Sequence, residues 1–156
     1  MKIIDPSISQ AFAKGLAVFS GKTQFQKIQR GKFAMVSSEI NDADVSYIDQ
    51  WFAGHLGGGQ EIVEIGGDRY TRVYAGGTVT ETNKDDVMAF LKKSLLAAGA
   101  KTRFDKEYLH IDGEWIYQYS PKELDEITGM ITGKEIITYK NTPVFVHYFI
   151  ISRVLE

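Results

Sequence analysis

The spacing of apolar residues changes several times along this chain. Ile8, Phe12, Leu16 and Phe19 recur every three to four positions, the signature of one face of a helix. Asp5-Pro6 supplies a cap and a first-turn proline, and Ser20-Gly21 supplies a stop. The stretch from Phe33 to Ile40 has strand character, and Asn41-Asp42 is a turn signal. Val45 and Tyr47 share one face of a second strand, with a short helix from Asp42 to Phe52 as the alternative. The segment Ala53 to Gly59 holds four glycines in seven residues and predicts a loop. Gln60 to Ile65 and Arg69 to Ala75 flank Gly66-Gly67 and predict a hairpin.

Residues 76–83 read as a linker, after which a similar order begins again. Asn83 can cap a helix whose buried stripe is Val87, Phe90, Leu91, Leu95 and Ala98, with Gly99 as its stop. Tyr108 to Ile111 and Trp115 to Tyr119 predict a hairpin about Asp112-Gly113. Ser120-Pro121-Lys122-Glu123 has the form of a capping box and predicts a short helix ending near Gly129. Lys134 to Tyr139 and Pro143 to Val154 predict the last hairpin. In that final strand Val144, Val146, Tyr148 and Ile150 face one way, and Phe145, His147, Phe149 and Ile151 the other. Both faces are apolar, so the strand is expected at the centre of a covered sheet or at an interface.

The two series share a motif. Gly59-Gln60-Glu61-Ile62-Val63 is matched by Gly133-Lys134-Glu135-Ile136-Ile137, and Tyr74 follows the first at the interval at which Tyr148 follows the second. A recurring unit of this kind bears on architecture before any local reading does. The expected fold is α+β: two αββββ-like repeats, residues 1–78 and 79–156, packed about a pseudo-twofold axis as one compact domain. Short turns make the sheets antiparallel, with the helices on one face.

Composition narrows the function classes. The 156 residues carry a net charge of −2 and no cysteine. Residues 1–78 hold 8 basic and 8 acidic side chains, and residues 79–156 hold 10 and 12, so neither half predicts a nucleic-acid surface. Without cysteine there are no disulfides, thiolate metal sites or thiol nucleophiles. No run approaches the ~18 apolar residues of a membrane span, and the N-terminal residues lack a signal-peptide core. The expected setting is cytoplasmic.

Tyr47-Ile48-Asp49-Gln50-Trp51-Phe52-Ala53-Gly54, then Gly59-x-Glu61-x-Val63, then Gly67 and Tyr74, resembles a bacterial family of domains of unknown function. Its members often follow an XRE-type helix-turn-helix DNA-binding domain. The first series departs from the family pattern at Arg69, where proline is usual, and at Thr71, where tryptophan is usual. The second keeps Gly133, Glu135, Ile137 and Pro143 but has Gln118-Tyr119 where the aspartate and its neighbour would fall, and inserts 120–129. The chain thus reads as two tandem divergent copies without the helix-turn-helix. The resemblance implies a sensory or interaction module rather than a reaction, and DNA binding is not carried over.

Glu61 and Glu135 are the sharpest candidates for chemistry. Brought together, two carboxylates raise one another's pKa or bind a hard cation; apart, each is a strand carboxylate accepting backbone N–H groups. His55 lies in the glycine segment beside Trp51, whereas His147 lies among apolar residues and reads as a hydrogen-bonded cleft or core residue. The three histidines lack metal-motif spacing. The run Gly57-Gly58-Gly59 precedes a strand and has no following Gly-Lys-Ser/Thr, so it is not a phosphate loop. No serine sits in a nucleophile elbow. Most of the aromatic residues predict core and cross-strand pairs, with Trp51 and the pair Tyr117/Tyr119 as possible pocket walls.

The expected ligand-binding set is Tyr47, Asp49, Trp51, His55, Glu61, Tyr74, Glu135, His147 and Tyr148, with no metal and no cofactor. The expected function is a non-enzymatic binding or sensory module for a small apolar or aromatic ligand held between the repeats. The alternatives are a protein-interaction module, as a homodimer or with a regulatory partner, and a hydrolase-like enzyme using Glu61 or Glu135 with His55.

Overall fold

A computed structural model describes residues 25–41, 43, 45–79, 82–98 and 106–155. These form nine strands and one helix. The strands are β1 (Gln26–Arg30), β2 (Phe33–Asn41), β3 (Val45–Phe52), β4 (Leu56–Ile65), β5 (Asp68–Thr78), β6 (Tyr108–Asp112), β7 (Trp115–Leu124), β8 (Ile131–Tyr139) and β9 (Thr142–Val154). The helix, α1, spans Lys84–Ala98.

All nine strands lie in one antiparallel sheet, in the order β1-β2-β3-β4-β5-β9-β8-β7-β6. This overturns the expected α+β fold of two αββββ repeats with helices packed on a face. The physical reason is the pairing of β5 with β9 from Arg69 opposite Val154 to Thr78 opposite Phe145, which merges the strands of 26–78 and 108–154 into a single surface. Among the described residues α1 is the only helix; the helix expected over Ile8 to Phe19 lies outside them.

The short helix expected at Ser120 to Gly129 is also corrected. Strand β7 runs on to Leu124, with Ser120 opposite Lys134 and Pro121 opposite Gly133, and a bulge falls between Pro121 and Glu123. A proline is tolerated there because a bulge relieves the ladder of one donor. Asp125 then closes a turn, its Oδ1 accepting from the N–H groups of Ile127 at 3.0 Å and Thr128 at 2.6 Å. Ile127 is 92% exposed, so a helix here would have had no apolar face to bury. Cross-strand pairing with β8 therefore outweighs the local capping signal.

The glycine segment differs in a similar way. Strand β4 starts at Leu56, so Gly57, Gly58 and Gly59 are paired strand residues opposite Gly76, Ala75 and Tyr74. The expected linker is likewise partly strand, since β5 reaches Thr78. Val45–Phe52 is a strand throughout, which removes the helical alternative, and β1 was not expected at all.

Helix α1 follows its expected stripe. Val87, Phe90, Leu91, Ser94, Leu95 and Ala98 are buried, and Asn83 Oδ1 accepts from the Asp85 N–H at 3.0 Å. The helix packs on the face of the sheet that carries Tyr117, Tyr119, Ile137, Phe145, Phe149 and Ile151, all essentially solvent-free. Among the described residues it covers the β6–β9 half of the face, and a hollow lies beside it over β3, β4 and β5.

Candidate functional site

The residues of this hollow come from strand alternation. On β3, Val45, Tyr47, Asp49 and Trp51 turn inward; on β5, Tyr70, Arg72 and Tyr74 do so; on β9, Phe145, His147, Phe149 and Ile151. Glu61 of β4 and Glu135 of β8 face the same side, and both carboxylates are buried.

Two glycines explain the repeated motif. Gly59 lies opposite Tyr74, and a Cβ built on it would sit 2.6 Å from the Tyr74 hydroxyl. The bare backbone at Gly59 lets the phenol cross β4 and donate to Asp49 Oδ1 on β3 at 2.9 Å. Gly133 lies opposite Phe149, and a Cβ there would sit 2.6 Å from Phe149 Cζ. That ring crosses β8 and stacks on Tyr119 of β7, with centroids 5.0 Å apart and planes 4° from parallel. In each motif the glycine admits an aromatic ring and the glutamate two residues on shares its face.

Arg72 joins the two glutamates. Its Nη2 is 2.8 Å from Glu135 Oε2 and its Nη1 is 3.8 Å from Glu61 Oε1. The guanidinium lies over the rings of Tyr74 at 4.9 Å and Phe149 at 5.1 Å. Glu135 also accepts from the Tyr117 hydroxyl at 2.9 Å, and His147 Nδ1 is 3.4 Å from its other oxygen. Buried charge persists only when paired and hydrogen-bonded, and this network meets that condition at Glu135 and Arg72.

Burial holds His147 below its ordinary imidazole pKa of 6.5, with the Glu135 carboxylate acting against that shift. The Tyr74 phenol is held well above its ordinary 10.0, first by burial and then by the charges of Asp49 and Glu61.

A cavity of about 600 Å³ lies between this face and α1. Asp49, Tyr74, Thr78 and His147 contribute from the sheet. Trp51, Phe25, Met88, Leu91 and Phe145 provide apolar wall, and the turn 53–55 borders it. Lys84 Nζ donates to the carbonyls of Ala53 at 2.7 Å and Gly54 at 3.0 Å, tying that turn to the start of α1. Among the described residues no group of three or more histidines and carboxylates is arranged to hold a metal ion.

Of the expected site residues, Asp49, Trp51, His55, Tyr74 and His147 line the cavity. Glu61 and Glu135 come together through Arg72 in the buried network. Tyr47 is buried core, 2% exposed. Tyr148 is 61% exposed on the opposite face, beside Val73 and Ile150. A register shift between Ile137 and Thr138 places Phe149, not Tyr148, opposite Gly133, and a one-residue slip sends a side chain to the other face. In the β7–β8 pairing, which runs unbroken from Trp115 to Pro121, Tyr119 and not Gln118 stands opposite Glu135, where Asp49 stands opposite Glu61. Tyr117 and Tyr119 are buried among core residues rather than forming pocket walls.

Arg72 and Thr78 were missed. The signal for Arg72 was an arginine alternating with Tyr70 and Tyr74 on one strand face. Thr78 had none, because its segment read as a linker.

Residues 49–152 match a family described as a domain of unknown function, DUF5680. The chain belongs to this family. The matched span contains every member of the Asp49–Tyr74 and Arg72–Glu61–Glu135–His147 network, so the family's region encloses the buried charges as well as the motif glycines. No curated protein and no solved structure matches the chain. No helix among the described residues is long and apolar enough to cross a membrane.

Proposed function

We propose that this chain is a binding module that takes a small apolar or aromatic ligand into the cavity between α1 and the sheet. The observation that carries the reading is the cavity itself. About 600 Å³ is the size of a small-molecule site, and apolar walls with few convergent polar groups are the usual composition of one. Trp51 and Phe145 offer flat contact area, while Asp49, Tyr74 and His147 fix the orientation of a polar end. The reading requires no reaction. It fits the sensory role that the resemblance to domains accompanying helix-turn-helix regulators implies, in which a ligand closing the hollow would stiffen α1 against β3–β5.

A thermal-shift screen against a metabolite library tests this. A ligand that binds only the folded state raises the melting temperature by mass action. A reproducible hit that Trp51→Ala removes supports the cavity; hits insensitive to Trp51→Ala, or no hits, count against it.

A second reading, a homodimer formed through the opposite face, has the exposed neighbours Val73, Tyr148 and Ile150 in its favour. Light scattering over a concentration series tests it, and a monomer throughout removes it.

A further inference from the structure

We infer that the cavity selects an organic acid, one carboxylate carried on an apolar or aromatic body, and receives the carboxylate at the end where α1 begins. This rests on the ligand-binding reading above and names the class of ligand.

The first observation is Lys84. It lines the cavity at the start of α1 and is half-buried. Its Nζ donates to the carbonyls of Ala53 at 2.7 Å and Gly54 at 3.0 Å. An ammonium has three donors, so these bonds leave one, and carbonyls bring no net charge to offset its own. A ligand carboxylate supplies both the missing acceptor and the opposite charge, in a charge-assisted hydrogen bond.

The second is an unmet polar group. Thr78 lines the same cavity, is 3% exposed, and its Oγ1 makes no hydrogen bond among the described residues. A buried hydroxyl without a partner is uncommon. One turn ties it to Lys84: the Thr78 N–H donates to the His55 carbonyl at 2.8 Å, and Lys84 holds the carbonyls of the two residues before His55. An O–H on the sheet and an N–H on the helix are thus fixed to the same turn. They are two donors for the two oxygens of a carboxylate.

The third is the rest of the lining. Lys84, Met88 and Lys92 follow one another at four-residue steps, so α1 shows the cavity two ammonium groups about a thioether. Lys27, exposed and paired across the sheet with Val36, brings a third ammonium to the mouth. Lysine stems cover apolar surface while their charged heads stay at its edge, the division that an amphiphilic acid needs. Among the described residues of the lining Asp49 is the one carboxylate, and it already accepts from the Tyr74 hydroxyl. An acid gains nothing from it, acceptor against acceptor. That leaves the Lys84 and Thr78 end for the ligand carboxylate, and Trp51, Met88, Leu91 and Phe145 for its body.

Three probes of one shape decide the matter at neutral pH: 3-phenylpropionate, an anion; 3-phenylpropanol, neutral; and 3-phenylpropylamine, a cation. Titration calorimetry on the full chain is expected to show the acid binding at least about tenfold more tightly than the other two. Added salt is expected to weaken the acid and leave the alcohol unchanged. Lys84→Met is expected to bring acid and alcohol within about threefold, and Thr78→Val to weaken the acid about tenfold and the alcohol less. Equal affinity for acid and alcohol, or tighter binding of the amine, overturns the carboxylate proposal and leaves the cavity reading standing. An acid preference that Lys84→Met leaves intact overturns the placing of the carboxylate at the start of α1. No binding of any of the three overturns the proposal, and together with an empty library screen it removes the cavity reading as well. Should Lys84→Met fail to fold, the comparison of the three probes and its salt dependence stand by themselves.

Discussion

The Tyr74 hydroxyl on β5 reaches Asp49 on β3 across the intervening strand, at 2.9 Å, because the residue beneath it is Gly59. A Cβ at that position would also sit 2.8 Å from Trp51 Cβ and collide with the Gln50 carbonyl. One missing side chain thus sets both the phenol–carboxylate bond and the placing of a cavity wall. Gly59→Ala is expected to cost about 1–3 kcal/mol, the range for overpacking a filled site, and to displace Tyr74 from Asp49. Gly54→Ala is the control. Its Cβ meets nothing nearer than the Leu56 carbonyl at 3.4 Å, and its cost is expected within about 0.5 kcal/mol. Urea unfolding of both variants checks the contrast, and equal costs would remove the steric account.

Arg72 is the hinge of the buried charges. Replacing it with methionine keeps much of the volume but removes the guanidinium that Glu61 and Glu135 share. The expected loss is about 3–5 kcal/mol, as for other buried pairs broken from one side. Arg72→Met combined with Glu135→Gln is expected to lose less than the sum of the two single changes, because the second removes a charge that the first had stranded. Additive losses in denaturant titrations would mean that the two side chains are not coupled.

Much of the secondary structure was legible because strand alternation and glycine turns are local signals. The hairpin about Gly66-Gly67 and the Asn83-capped helix depend on neighbours a few residues away. The single sheet was not legible, since the pairing of β5 with β9 joins residues about eighty positions apart and no local pattern encodes it. Ser120-Pro121-Lys122-Glu123 shows the reverse error, a strong local helix signal overruled by Lys134 and Gly133 across the strand. Asp49, Trp51 and His147 could be chosen by residue type. Tyr148 could not be excluded, because one register shift between Ile137 and Thr138 decides which face it takes.

His147 makes stability depend on mild acid. Burial lowers its pKa in the folded chain, so below about 6.5 the unfolded chain binds a proton that the folded chain does not. The stability contributed by the neutral imidazole is therefore complete above pH 6.5 and is lost as pH falls through the folded pKa. The slope from this group is at most about 1.4 kcal/mol per pH unit. His147→Gln is expected to flatten the stability profile below about pH 6.5, measured as urea midpoints at fixed salt. An unchanged profile would assign acid sensitivity to other groups.

Tyr74 imposes the opposite dependence at high pH. Burial and the nearby Asp49 and Glu61 charges keep its phenol protonated in the folded chain well above 10.0, while the unfolded phenol ionises near that value. Once pH passes about 10 the unfolded chain has released a proton that the folded chain retains, so stability falls as pH rises toward the folded pKa. Tyr74→Phe removes this decline. At neutral pH the same change removes a donor to a buried carboxylate, and the expected cost is about 1.5–3 kcal/mol, the range for hydrogen bonds to charged groups. The variant is thus expected to be less stable than the parent near neutrality and to close part of the gap above pH 10. Parallel curves across the whole range would show that the Tyr74 phenol titrates alike in both states, and burial beside the Asp49 and Glu61 charges would then not be what holds its proton.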